Sequence, residues 1–75
     1  MKRVGSVVGT AQGVVVVRAD SDEAPDIGTP VIDEQLDSVG RIVDVFGPVS
    51  QPYLAVSTRQ EPVATLVGTS LYARN

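Results

Sequence analysis

The sequence predicts an all-β domain, and three observations carry that reading. β-Branched residues and turn formers alternate along the chain, no stretch sustains helical apolar spacing, and breakers recur at short intervals. Five or six short strands at this spacing imply a small closed barrel, because so short a chain has little else with which to cover sheet edges.

In chain order, strands are expected over residues 3–8, 13–19, 30–33, 39–46, 53–57 and 69–73. Each is bounded by residues that favour turns: Gly9 to Gly13, Asp20 to Gly28, the Glu34-Gln35-Leu36-Asp37 turn, the Gly47-Pro48 corner and Gln60-Glu61-Pro62. Residues 62–68 contain Val-Ala-Thr-Leu-Val, which suits either a helical turn or a further piece of strand. Val7, Val15 or Val16, Val43 and Val56 are the expected interior of the barrel.

Seventy-five residues make one domain, spanning 1–75, near the lower limit for a self-sufficient core. The chain has no Cys, so neither a disulfide framework nor a thiolate zinc site is available. It has no His, which removes the commonest metal ligand and the commonest general base. Nine acids against six bases give a formal charge of −3, and Lys2 is the one lysine. That balance disfavours phosphate-backbone binding, which depends on Lys and Arg displacing counterions. No apolar run approaches the roughly 18 residues of a membrane span. The basic start Met-Lys-Arg-Val-Gly has neither the leucine-rich core nor the cleavage site of a signal peptide. The expectation is a soluble cytoplasmic protein with no membrane partner and no cofactor.

Two strands fail to alternate as a small barrel requires. Val14-Val15-Val16-Val17 is apolar on both faces, and so is the run from Val39 to Val49. In the second run Val39, Val43 and Val45 share one face, with Ile42 and Phe46 on the other and Asp44 between them. With no helices to cover the outside, the outer face needs either a protein partner or a bulge at Gly40 that swaps faces.

The polar inventory is poor in chemistry. The loop Asp20-Ser21-Asp22-Glu23-Ala24-Pro25-Asp26 lacks the glycine and closing glutamate of a calcium loop, and reads as a solvated turn. Asp33, Glu34 and Asp37 bracket a turn without a cleft to desolvate one of them. Gly5, Gly9 and Gly13 do not have phosphate-loop spacing and mark bends. Ser and Thr have no activating base, so no catalytic residue is expected. Asp44 is read as a brace accepting backbone N–H groups, with a salt bridge to a partner as the alternative. Arg3, Arg18, Arg41 and Arg59 form a sparse basic set, read as solvated barrel exterior or as a small contact patch. They are not interleaved with Phe46, Tyr53 and Tyr72 as single-strand RNA binders need.

The stretch Val39-Gly40-Arg41-Ile42-Val43-Asp44-Val45-Phe46-Gly47-Pro48-Val49, then Gln51-Pro52-Tyr53-Leu54-Ala55-Val56, resembles the core signature of the glycine-arginine-rich (GAR) subunit of H/ACA ribonucleoproteins, in its short archaeal form. Met1 to Val7 and Gly28 to Asp33 extend the likeness over nearly the whole chain. Its most specific part is Asp44 to Val49 with Pro52 and Tyr53. The resemblance implies a six-stranded closed antiparallel barrel of the translation-factor-like type. It also implies a non-catalytic accessory subunit of an RNA-guided pseudouridine synthase, docked on the dyskerin-like catalytic subunit and aiding substrate RNA loading and release in rRNA modification. Guide and substrate RNA would then be partners only indirectly, with weak self-association when the synthase is absent. The family's contact surface carries over onto Val45, Phe46, Gly47, Pro48, Val49, Pro52 and Tyr53, with Ile42 as an outlying member.

The chain departs from the family at its ends. It closes on Tyr72-Ala73-Arg74-Asn75, without the glycine-arginine-rich or lysine-rich tails of many members. Its acidic balance and scarce lysine resemble the subunit of a salt-loving archaeon. A second resemblance, through Gly28, Val31 and Val39 to Val45, is to PRC-type barrels, which implies a ribosome-maturation or other adaptor. That family does not require Phe-Gly-Pro-Val or Pro-Tyr. An independent OB-like RNA binder is a third reading, which the charge balance disfavours.

Overall fold

The computed structural model describes residues 2–20, 24–59 and 63–73. β1 (Lys2–Ala11) and β2 (Val14–Ala19) form a hairpin, followed by the short β3 (Pro30–Ile32), β4 (Ser38–Phe46), β5 (Tyr53–Thr58) and β6 (Ser70–Ala73). The strands pair antiparallel in the order β1–β2–β5–β4–β3–β6, and β6 returns to β1, so the barrel is closed. Six strands thus remove every edge that closure can remove, as the short chain demanded. The open segment before β6 resolves as a single 3-10 turn, Val63–Leu66. Pro62 lies outside the described residues.

The β1–β2 turn is two residues, Gln12 and Gly13, with Gly13 at φ 81°. β1 continues past Gly9, an expected breaker, to Ala11 because a register shift between Val7 and Gly9 absorbs the bend within the strand. At the β3–β4 turn, an Asp33 side-chain oxygen accepts the Gln35 and Asp37 N–H groups at 2.9 and 3.0 Å. These bonds hold Leu36 in a left-handed conformation, φ 68°, and use Asp33 as a turn brace.

Directly paired residues share a face, so the register identifies the interior. Val7 opposes Val17, Val15 opposes Val56, and Val17 opposes Leu54. Val15, Val17, Val31, Ile42, Leu54, Val56 and Leu71 are fully buried, and Val7 nearly so. At about 1.5–3 kcal/mol for each fully buried aliphatic side chain, this layer is the main stabilising term against chain entropy. Val7, Val15 and Val56 are interior as the sequence predicts, with Val15 rather than its neighbour Val16 pointing in.

Val43 is the exception, and it corrects the expected interior. It is 46% exposed, while Ile42 is fully buried. The cause is a register shift between Ile42 and Asp44: Ile42 opposes Val56, Asp44 opposes the next residue, Ala55, and Val43 is the extra residue of a bulge. The face swap foreseen at Gly40 is also present. Gly40 opposes Val31 and Ser38 opposes Ile32, which leaves Val39 as an extra residue. Val39 and Ile42, of opposite parity, are both buried. The bulge at Val43 is a second one. Gly40 has another task. A Cβ there would lie 1.6 Å from the Ser57 carbonyl oxygen, so only glycine lets β5 pass this closely.

Candidate functional site

The β4–β5 connection begins at Gly47, whose φ of 88° turns the chain out of β4 in a conformation few side chains tolerate. Pro48 follows with its fixed φ and no N–H to satisfy. The Gln51 N–H donates to the Pro48 carbonyl at 3.2 Å, closing the turn. Val49 stands at the tip, 90% exposed. At the base of the corner Phe46 and Tyr53 face each other as paired residues of β4 and β5. Their rings stack with centroids 5.8 Å apart and planes 24° apart. Such a pair adds about 0.5–1.5 kcal/mol beyond its buried area. Phe46 is nevertheless 44% exposed, so the stack presents an apolar plate to the outside.

The register explains why. Leu54 and Val56 point inward, so Tyr53, Ala55 and Ser57 point outward, and their partners Phe46, Asp44 and Arg41 do likewise. Val45 pairs with the buried Leu54 at the barrel mouth and stays partly open. The corner therefore brings together Val45, Phe46, Gly47, Pro48, Val49 and Tyr53, six of the eight sequence-predicted contact residues.

Two residues of that set are corrected. Ile42 is a core residue with no exposed surface, because the bulge after it fixes its side chain toward Val56. Pro52 is also buried: its carbonyl accepts the Ala19 N–H at 3.0 Å, which draws it against the end of β2. Pro52 shapes the corner from beneath instead of lining its surface.

Asp44 acts as a brace, though not on the turn. Its carboxylate accepts the N–H of Val45 at 2.8 Å. β3 accompanies β4 only as far as Arg41, which opposes Pro30, and the Ile42 N–H and C=O bond to Thr29 and Gly28 just before β3. Beyond that point no described strand pairs with this side of β4, and Asp44 covers a backbone donor on the open edge. An ionic group and a bulge are the means by which edge strands resist unwanted pairing.

Arg18 is a neighbour that the linear reading did not place. It opposes Tyr53 on β2, and its guanidinium donates to the Gln51 side-chain oxygen at 3.0 Å. The signal lay in parity along β2, since Arg18 shares a face with Val14 and Val16. The turn carboxylates Asp33, Glu34 and Asp37 sit elsewhere on the barrel, and no group of three or more Cys, Asp or Glu side chains is placed to hold a metal among the described residues. Ser21 to Glu23 of the acidic loop lie outside the described residues. No described helix is long and apolar enough to cross a membrane.

Fold and surface together define a small closed β-barrel domain with an apolar corner raised on two paired strands. The chain belongs to the Gar1/Naf1 RNA binding region family, whose model matches residues 1–75. It is similar to an uncharacterized protein of Methanothermobacter thermautotrophicus, 29% identical over 77 residues, covering 96% of this chain and 82% of that protein. The resemblance carried by Asp44 to Val49 and Tyr53 therefore holds at the level of the family. Membership supports a ribonucleoprotein-associated role, in a family described by RNA binding.

Proposed function

We propose that the chain is a non-catalytic accessory subunit of an H/ACA RNA-guided pseudouridine synthase, docking on the dyskerin-like catalytic subunit and aiding the loading and release of substrate RNA during rRNA modification. The observation that carries this reading is the exposed Phe46–Tyr53 stack at the base of the Gly47–Pro48 turn. A stacked aromatic pair left open on so small a barrel suits the buried centre of a protein interface, where aromatic side chains contribute most. Family membership supports the ribonucleoprotein setting, and the absence of His and Cys from the sequence supports leaving the chemistry to the partner. RNA is contacted through the synthase in this reading, and the work is cytoplasmic.

The test is reconstitution with a purified archaeal synthase and its guide RNA. The chain should co-purify with the synthase and raise multiple-turnover pseudouridine formation, while forming none by itself. Failure to bind the synthase, or pseudouridine made by the chain alone, overturns the proposal.

A further inference from the structure

We infer that the outward face shared by β2, β5 and β4 is one continuous basic and apolar docking surface, whose occupant is a protein surface carrying carboxylates around an apolar patch. The inference takes the partner's identity from the function proposed above, but its chemistry rests on the face itself.

The register lays the face out in rows. Arg18, Tyr53 and Phe46 form one row, Val16, Ala55 and Asp44 the next, and Val14, Ser57 and Arg41 the third. Arg59 continues β5 by one further outward position. Between Arg41, Val43, Ser57 and Arg59 runs a groove of about 550 Å³, and no carboxylate lines it. From Tyr53 to Arg59 the face extends roughly 20 Å, at about 3.4 Å per strand residue. This length is suited to a protein footprint.

Charge is segregated onto this face. The chain has nine acids against six bases. Yet the outward paired positions of β2, β5 and β4 carry Arg18 and Arg41 against one acid, Asp44, whose carboxylate is engaged with the Val45 N–H. Arg3, on β1, is neutralised by Asp20 at 2.6 Å. Arg18, Arg41 and Arg59 differ from it, since none forms an ion pair with a described residue. Arg18 and Arg41 are instead oriented by neutral acceptors, the Gln51 side-chain oxygen and the Gly28 carbonyl at 3.1 Å. Their charge is kept and their direction is set, which reduces the ordering cost of meeting a carboxylate.

A carboxylate-bearing protein fits better than a nucleic-acid backbone. Val16 and Ala55 lie between the row of Arg18 and the row of Arg41. The ring stack adjoins Arg18 at one end of the face, and Val43 lies beside Arg41 and Arg59 at the other, so apolar surface adjoins each arginine. The two rings stack on each other, not in alternation with cations as successive bases require.

Association kinetics test this with Arg59→Gln and Arg59→Glu, since Arg59 bonds no described residue and both variants should melt as the wild type does. At low salt, synthase association should slow about threefold for Arg59→Gln and tenfold for Arg59→Glu, and the differences should vanish near 1 M salt, the mark of steering by charge. If the wild type binds and both variants associate at its rate in low salt, the inference is overturned while the proposed function stands. If the wild type does not bind the synthase, the proposed function fails and a peptide decides the inference. A glutamate-rich peptide with a central phenylalanine should then shift the amide resonances of Arg41, Ser57 and Arg59, more weakly in Arg59→Glu. No shift overturns the inference, as does an octauridylate that shifts the same amides at lower concentration than the peptide.

Discussion

The ring of Tyr53 occupies the space into which a side chain on residue 47 would project: a Cβ built on Gly47 lies 2.8 Å from Tyr53 Cδ2. Two constraints thus converge on one glycine. Its φ of 88° lets the chain leave β4, and its bare Cα lets Tyr53 lie flat against Phe46.

Gly47→Ala should therefore lower stability by about 1–2 kcal/mol from the left-handed backbone alone. It should also move the Tyr53 ring out of the stack. Urea unfolding gives the first quantity, and the ring-current shifts of the Phe46 and Tyr53 protons report the second. Unchanged ring shifts in the variant would show that the stack does not depend on Gly47.

Asp44→Ala removes the cover from the Val45 N–H on the open edge of β4. Because that edge faces water, the stability change should stay near 0.5–1.5 kcal/mol, the net scale of one hydrogen bond. The larger effect should be on association, as an uncovered edge pairs with another copy. Sedimentation should show concentration-dependent dimers of the variant at concentrations where the wild type remains monomeric.

The strands were legible because their breakers are strong: Gly13, Asp33 to Asp37 and Gly47-Pro48 each stop a β-branched run where the structure has a turn. The corner was legible for the same reason, together with the rarity of aromatic residues in this chain. What could not be read was the second bulge, at Val43. Ile42 and Val43 are both apolar and β-branched, so either fits the interior, and only the pairing with Val56 decides between them. One inserted residue exchanged their faces, which moved Val43 outward and took Ile42 out of the contact set. Arg18 was legible as one of a sparse basic set but not as a neighbour of the corner, because its place beside Tyr53 depends on a strand 35 residues further along the sequence.

Isolated RNA binding should be weak and mildly salt-dependent. The three arginines of the outer face limit the phosphate contacts to about three, so the logarithm of affinity should fall with the logarithm of salt at a slope no steeper than about −2 on single strands. Titration of a guide-like RNA at physiological salt should give no saturation below micromolar concentration. Submicromolar binding by the barrel alone would make direct RNA recognition its primary role.

Phe46 and Ile42, four residues apart on one strand, should respond oppositely to the same substitution. Phe46 is 44% exposed and Ile42 not at all. Phe46→Ala leaves no closed cavity, so its melting temperature should fall only a few degrees, whereas synthase affinity should drop by about 2 kcal/mol or more, roughly thirtyfold. Ile42→Ala opens a void between β4 and β5 beside Val56, and should cost about 2–5 kcal/mol of folding stability. Such a loss is a large share of the roughly 5–15 kcal/mol typical of a folded domain. At a temperature where it remains folded, this variant should bind the synthase with near wild-type affinity. Thermal melts and binding titrations on the two proteins should therefore separate stability from docking. A Phe46→Ala protein that binds unchanged would remove the aromatic corner from the interface, and an Ile42→Ala protein that melts like wild type would contradict its place in the core.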